Sequence, residues 1–314
     1  MRDFLAITGP TTSGKTQLSI AVAEALDGEI ICMDSRQVYR GMDIGTDKVS
    51  PEHRHRVPHH GLDLRNPDEF YSAGQFGRDA HCYLEEISGR GRVPLLVGGT
   101  GLFLRSLTHP IFKQPDIDAA RLQALRGFMA KRPRAELERW VGALDSDRAE
   151  FAQEGGPQRL GRTIEVALLT GRSLSWWHAQ GTSDREPLNG LIVVLDKDRE
   201  ELDRRIDARV TRMAAEGLVE EVSGLLEKGY GPEDPGMSGT GYREVAAYLG
   251  GDMTLEEALD QMRSQTRQYA RRQLTWFRHQ LPDDAMHVDT SRPLDAQAAD
   301  VVAAWKTKER SIDG

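Results

Sequence analysis

Residues Gly9-Pro10-Thr11-Thr12-Ser13-Gly14-Lys15-Thr16 fit the pattern G-x-x-x-x-G-K-[ST]. Two glycines let backbone N–H groups converge on a phosphate, lysine adds a point charge, and threonine offers a hydroxyl to Mg²⁺. A diphosphate or triphosphate site is expected there, and the motif does not name the owner of the phosphates. Asp34-Ser35 closes an apolar run and Gly98-Gly99-Thr100-Gly101 closes another. A carboxylate at such a place can hold Mg²⁺ or accept a proton from a nucleophile. A turn or a helix N-cap is the competing reading of Asp34 and Ser35. The glycines of the second loop allow another molecule close to the backbone, or they simply make a turn. His53, His55, His59 and His60 lie within eight residues, but no cysteine or carboxylate pair nearby completes a zinc set. They read as a polar loop.

These residues need elements to hold them. Phe4–Ile7, Glu29–Met33, Val93–Val97 and Leu191–Leu195 are short apolar runs of the kind found in buried parallel strands. Leu18, Ala21, Val22, Ala25 and Leu26 recur at helical spacing, with Gly28 expected as the C-cap. A helix is expected over 73–88. Strands alternating with helices predict an α/β fold, a parallel sheet covered on both faces. Between Lys113 and Pro187 no strand is evident; helices are expected over 118–131, 134–144 and 158–169, with a break at Gly155-Gly156-Pro157. The expected organisation is therefore a discontinuous phosphate-loop core, 1–112 with 188–314, and an all-helical insertion, 113–187. After Leu195 the chain is mainly helical. Its longest helix is expected over 255–280, and the tail after Asp289 reads as weakly ordered.

The chain has 314 residues, a formal net charge of −8, 39% hydrophobic and 29% charged residues. That is the composition of a soluble globular protein. No run of 18 apolar residues is present, the first residues are too short an apolar stretch for a signal peptide, and Cys32 and Cys82 make no disulfide framework. A cytoplasmic monomer is expected. Net acidity argues against nucleic acid, but it is unevenly placed. Residues 216–260 hold eleven acids and two bases, whereas 261–282 hold five arginines and no acid. Arg263, Arg267 and Arg271 follow i, i+4 spacing, with Tyr269, Trp276 and Phe277 interleaved. Such a stripe suits nucleic acid, or it is a solvated basic face. A local footprint of this size implies moderate salt dependence.

Together these blocks resemble the tRNA dimethylallyltransferase (tRNA isopentenyltransferase) family. The phosphate loop is followed by Asp34-Ser35-Arg36-Gln37-Val38-Tyr39-Arg40-Gly41-Met42-Asp43-Ile44-Gly45-Thr46, then Val97-Gly98-Gly99-Thr100-Gly101-Leu102. Gly241-Tyr242-Arg243-Glu244 and Thr266-Arg267-Gln268-Tyr269-Ala270-Arg271-Arg272-Gln273-Leu274-Thr275-Trp276-Phe277-Arg278 come later. The departures are small: Thr12 for the usual Ala, Phe103 for Tyr, and Gly239-Thr240 for a small residue and Ile. The resemblance implies a P-loop NTPase-like fold and a prenyl transferase. Its substrates would be dimethylallyl diphosphate and a tRNA anticodon stem-loop, and Mg²⁺ its cofactor. The prenyl group would pass to N6 of the adenosine 3′-adjacent to the anticodon in tRNAs reading codons that begin with U. It implies that residues 9–16 bind diphosphate, with Mg²⁺ at Thr16 directly or through water. It also implies that Asp34 is the base and that Thr100 and Arg209 act at the reaction centre. Asp34, Ser35, Arg36, Gln37, Thr100, the Gln158-Arg159-Leu160-Gly161-Arg162 segment, Arg267, Arg271 and Arg272 would contact tRNA.

Overall fold

The computed structural model describes residues 3–109, 117–154, 157–180 and 186–310; Lys113 and the Gly155-Gly156 break lie outside them. The chain packs as two compact units, residues 1–108 with 188–314, and residues 109–187.

The first unit is built on six parallel strands. They are β1 (Phe4–Thr8), β2 (Gly28–Cys32), β3 (His59–His60), β4 (Val93–Val97), β5 (Gly190–Asp196) and β6 (Met286–Asp289), in the order β3-β2-β4-β1-β5-β6. Strand alternation sends Leu5 and Ile7 to one face and Phe4 and Ala6 to the other. On the first face they pack with α1 (Lys15–Leu26) and α14 (Leu294–Arg310); on the second with α3 (Ala73–Gly89) and α4 (Gly101–Thr108), and a short α2 (Pro51–Arg56) leads into β3. Both faces are covered, so the strands read as unbroken apolar runs.

Two expectations are corrected. Gly28 does not cap α1: Asp27 takes the left-handed position (φ 47) and Gly28 opens β2, where a Cβ would come within 2.4 Å of Leu95 Cδ1. The tail is not weakly ordered over 294–310. It forms α14, whose Ala298, Val301 and Trp305 are buried against the sheet and α1. The strands β3 and β6, only two and four residues long, carry no apolar run in the sequence.

Four more helices, α10 (Arg199–Ala215), α11 (Leu218–Glu227), α12 (Tyr242–Leu249) and α13 (Leu255–Gln280), form a third apolar cluster with the segment 38–42. Thr254 begins α13 with a capping box to Glu257. The second unit contains α5 (Ala119–Met129), α6 (Arg134–Leu144), α7 (Ala149–Glu154), α8 (Pro157–Thr170) and α9 (Leu174–Gln180) around a core of Met129, Val141, Ala152, Leu160 and Ile164. Among its described residues there is no strand. The helices α7 and α9 have only six and seven residues, too short for a periodic signal. No helix among the described residues is long and apolar enough to cross a membrane.

Candidate active site

Register brings the loops together. Ile7 of β1 and Cys32 of β2 both pair with Val97 of β4. The chain therefore leaves all three strands at one level, and Gly9, Asp34 and Gly98 emerge side by side. Cross-loop bonds fix them: Met33 N donates to Val97 O (2.7 Å), Thr8 Oγ1 to Gly98 O (2.8 Å) and Thr100 N to Met33 O (3.4 Å). This is the carboxyl edge of an open α/β sheet, where such folds bind ligands.

The 9–16 loop has the backbone its sequence implies. Gly9 (φ 150) and Gly14 (φ 102) take values favouring glycine, and Thr12 takes φ 63. The Thr12 and Ser13 hydroxyls are buried without a partner. Orphaned hydroxyls of this kind are costly unless a ligand meets them. Lys15 Nζ donates to the carbonyls of Gly9 (3.0 Å) and Pro10 (2.7 Å). Burial brings its ammonium down to about 8; Asp34 and then Asp47 oppose that shift and Arg209 adds to it. Arg209 reaches in from α10, its Nη1 donating to Thr11 Oγ1 at 2.9 Å. Two cationic side chains thus meet the loop at the start of a helix, a place that favours negative charge.

Asp34 turns in beside the loop, accepting from Arg36 N at 2.8 Å. Thr100 Oγ1 accepts from Ser35 N at 3.2 Å. Its hydroxyl meets Tyr269 of α13, whose phenol is pushed up to about 12 by burial and the charge of Asp34. Arg36 donates to Pro235 O (2.6 Å), and Gln37 Nε2 to Thr46 O and Asp47 O (3.2 Å each). The three glycines around Thr100 are where neighbours leave no room. A Cβ would lie 1.9 Å from Met33 O at Gly98, 2.2 Å from Gln273 Nε2 at Gly99 and 2.4 Å from Trp276 Cδ2 at Gly101. This strand end therefore offers a hydroxyl and close backbone in place of the carboxylate of a kinase-like site.

The later motif blocks are largely scaffolding. Glu221 accepts from the backbone N–H of Asp43 (2.8 Å), Ile44 (2.8 Å) and Gly45 (3.1 Å) and from Tyr242 Oη (2.5 Å). One carboxylate thereby shapes the turn that delivers Thr46 and Asp47 to Arg209, and Gly45 is required because the Tyr242 ring lies against it. Gln273 bridges the two functional loops: Thr11 N donates to its Oε1 (2.9 Å) and its Nε2 donates to Gly99 O (2.8 Å). Glu221 lies outside every motif block, and Gln273 lies inside one with nothing to set it apart from its neighbours.

The arginine stripe divides. Arg263 pairs with Asp260, and Arg267 with Asp207 and Asp203 of α10. Arg271 and Arg272 are exposed, the latter over the Tyr269 ring. In the helical unit Gln158 and Arg159 are exposed on α8, Gly161 is partly buried, and Arg162 lies 3.7 Å from Glu165. Leu160 is a core side chain at 1% exposure. Of the histidines, His60 bonds the buried Glu29 at 2.7 Å, and His59 the Val57 carbonyl. Among the described residues no three His, Cys, Asp or Glu side chains form a metal cluster. Mg²⁺ still fits the loop. The Thr12 and Ser13 hydroxyls are buried without a partner and Thr16, at the start of α1, is exposed, so Thr16 would be the hard oxygen donor to the cation, with phosphate oxygens completing its shell.

The sheet order and the glycine-rich 9–16 loop at its carboxyl edge define a P-loop-like α/β protein. Residues 37–280 match the family model described as IPP transferase, and the chain belongs to that family. A tRNA dimethylallyltransferase of Geobacter sulfurreducens is 43% identical over 88% of each chain, and one of Geobacillus kaustophilus 41% over 88% and 87%. The crystal structure of a full-length tRNA isopentenylpyrophosphate transferase from Bacillus halodurans superposes with a TM-score of 0.72 at 34% identity, covering 99% of this chain and 98% of its own. A eukaryotic dimethylallyltransferase acting on tRNA gives 0.81 at 27% identity, covering 99% and 80%.

Proposed function

We propose that this chain transfers a dimethylallyl group from dimethylallyl diphosphate to N6 of the adenosine 3′-adjacent to the anticodon, in tRNAs reading codons that begin with U. One observation carries the reading: Ile7 and Cys32 share Val97 as their strand partner, so Asp34 leaves the sheet beside the 9–16 loop and sets a carboxylate at the same edge as its lysine. Diphosphate lies in residues 9–16. Lys15, Arg209 and the loop amides stabilise the charge that develops on it as it leaves. Mg²⁺ held at Thr16, directly or through water, supplies further charge neutralisation at the phosphates when bound.

The reacting carbon is allylic and tolerates partial cation character. Its C–O bond breaks, with the electron pair leaving on diphosphate, while the N6 lone pair forms the new C–N bond. That lone pair is delocalised into adenine and is weakly nucleophilic, so removal of the N6 proton by Asp34 assists attack. Thr100, held by Ser35 N and set against Tyr269, contacts the substrate at the same centre. A stacked base cannot reach such a site and must be turned out of the loop.

Arg36 and Gln37 beside Asp34, and the exposed Arg271 and Arg272, contact the tRNA. Arg267, braced by Asp207, keeps one edge of that surface in place. On the helical unit Gln158, Arg159, Gly161 and Arg162 grip the anticodon stem-loop. Leu160 belongs to the segment by holding α8 in its core. Single-stranded loops suit this mode of recognition.

The test is incubation with Mg²⁺, labelled dimethylallyl diphosphate and tRNA carrying an A-A-A run beside the anticodon. Label is expected in the tRNA. Label in free AMP and none in tRNA rejects the tRNA assignment. ATP consumption without prenyl transfer replaces it with a kinase.

A further inference from the structure

Asp47 is a carboxylate at the rim of an anion site. Its Oδ2 lies 3.5 Å from Arg209 Nη1, the nitrogen that also donates to Thr11 of the phosphate loop. Its Oδ1 accepts from Arg212 Nη2 at 2.6 Å, and its charge acts on Lys15. The position is held firmly. Glu221 ties the preceding turn, Gln37 Nε2 donates to the carbonyls of Thr46 and Asp47, and Asp47 N donates to Ile44 O at 3.0 Å. Asp47 itself takes φ 53, a left-handed value uncommon for a residue with a side chain. A chain that braces a negative charge beside the cations of its phosphate site is using that charge.

We propose that Asp47 is a built-in counterion of the diphosphate site, competing with diphosphate for Arg209 and so weakening its hold and favouring its release. This rests on the diphosphate reading of residues 9–16. The physical basis is the sharing of one guanidinium. Arg209 is kept oriented toward the loop by Thr11 and Thr46 O, while Asp47 offsets part of its charge. Diphosphate entering must share Arg209 and faces like-charge repulsion from Asp47. The same repulsion aids departure of the product. Arg212 gives Asp47 a second partner, so the carboxylate has somewhere to turn when Arg209 engages phosphate.

The experiment is titration of the full chain with inorganic diphosphate and Mg²⁺, for the unaltered protein and Asp47→Asn. Asn keeps the shape and tolerates the left-handed backbone. The variant is expected to bind about fivefold more tightly, the size of one exposed ion pair. The gain should shrink in high salt, and diphosphate should become a correspondingly stronger product inhibitor. Thermal unfolding run alongside reports any loss of fold. If the unaltered protein binds diphosphate and Asp47→Asn binds it equally or less tightly, the counterion assignment is overturned. If neither binds diphosphate, the diphosphate reading fails and the counterion with it.

Discussion

Gln273 holds the Thr11 amide at 2.9 Å while its own amide donates to Gly99 at 2.8 Å. One side chain from the long helix α13 thus sets the spacing between the phosphate loop and the Gly98–Gly101 loop. It is 6% exposed, and its bond to Gly99 is fully buried while that to Thr11 is partly so. Gln273→Glu keeps an acceptor for Thr11 but turns a carboxylate toward the Gly99 carbonyl. Gln273→Ala leaves both backbone groups unpaired, at about 1–3 kcal/mol each. We expect a fall in melting temperature of several degrees for both. We also expect KM for dimethylallyl diphosphate to rise, because the loop loses its preset spacing. Thermal unfolding and steady-state kinetics check this, and unchanged KM in both variants would reject the positioning role.

Asp34→Asn removes a proton acceptor at nearly constant shape. General-base assistance contributes about 10²- to 10⁴-fold, so turnover should fall by that range. Affinity for tRNA, measured by filter binding or fluorescence anisotropy, should stay within about twofold, because the proton is lost only in the reaction. Equal losses in turnover and binding would make Asp34 a binding residue.

The strands, the phosphate loop and the organisation into two units are legible from residue types because their signals are local. Four residues of buried strand and a glycine loop carry their own pattern. What is not legible depends on distant partners. Gln273 lies in a basic, polar helix and reads as solvated until Gly99 and Thr11 meet it. Arg267 reads as one of a free stripe, yet its carboxylate partners Asp203 and Asp207 lie about sixty residues upstream. The strand β6 reads Met-His-Val-Asp, and only Val288 is buried. Its backbone partners in β5 make it a strand.

Lys15 makes diphosphate binding pH-dependent. Burial lowers its ammonium from 10.5 to about 8. Bound diphosphate favours the charged form and raises it again. Binding should therefore weaken as pH rises through 8, with proton uptake on binding between about pH 8 and 10. Calorimetry in two buffers of different ionisation enthalpy measures that uptake. Lys15→Arg stays charged and should bind without this component. Stability runs the other way: between 8 and 10.5 the unfolded chain holds more protons, so the ligand-free fold gains stability as pH rises through that window. Proton uptake undiminished in Lys15→Arg would assign the titration to diphosphate itself.

Trp305 ties the C-terminal helix to the phosphate-loop side of the sheet. It is 4% exposed in the cluster that includes Leu18 and Val22 of α1, Leu5 and Ile7 of β1, and Val301 of its own helix. Beside it the helix offers only the smaller Ala298, Val301, Val302 and Ala304, so the indole is the largest apolar group that docks α14. Trp305→Ala should cost about 3–5 kcal/mol. Because α1 begins at Lys15, loosening its outer packing should also soften the loop and weaken inorganic diphosphate binding. Trp305→Phe retains most of the apolar area and should recover more than half of both losses. Chemical denaturation and diphosphate titration on the same preparations separate the two effects. A Trp305→Ala protein with unaltered stability would mean that α14 is dispensable to the core. Lowered stability with undiminished diphosphate binding would mean that α1 holds the loop without help from α14.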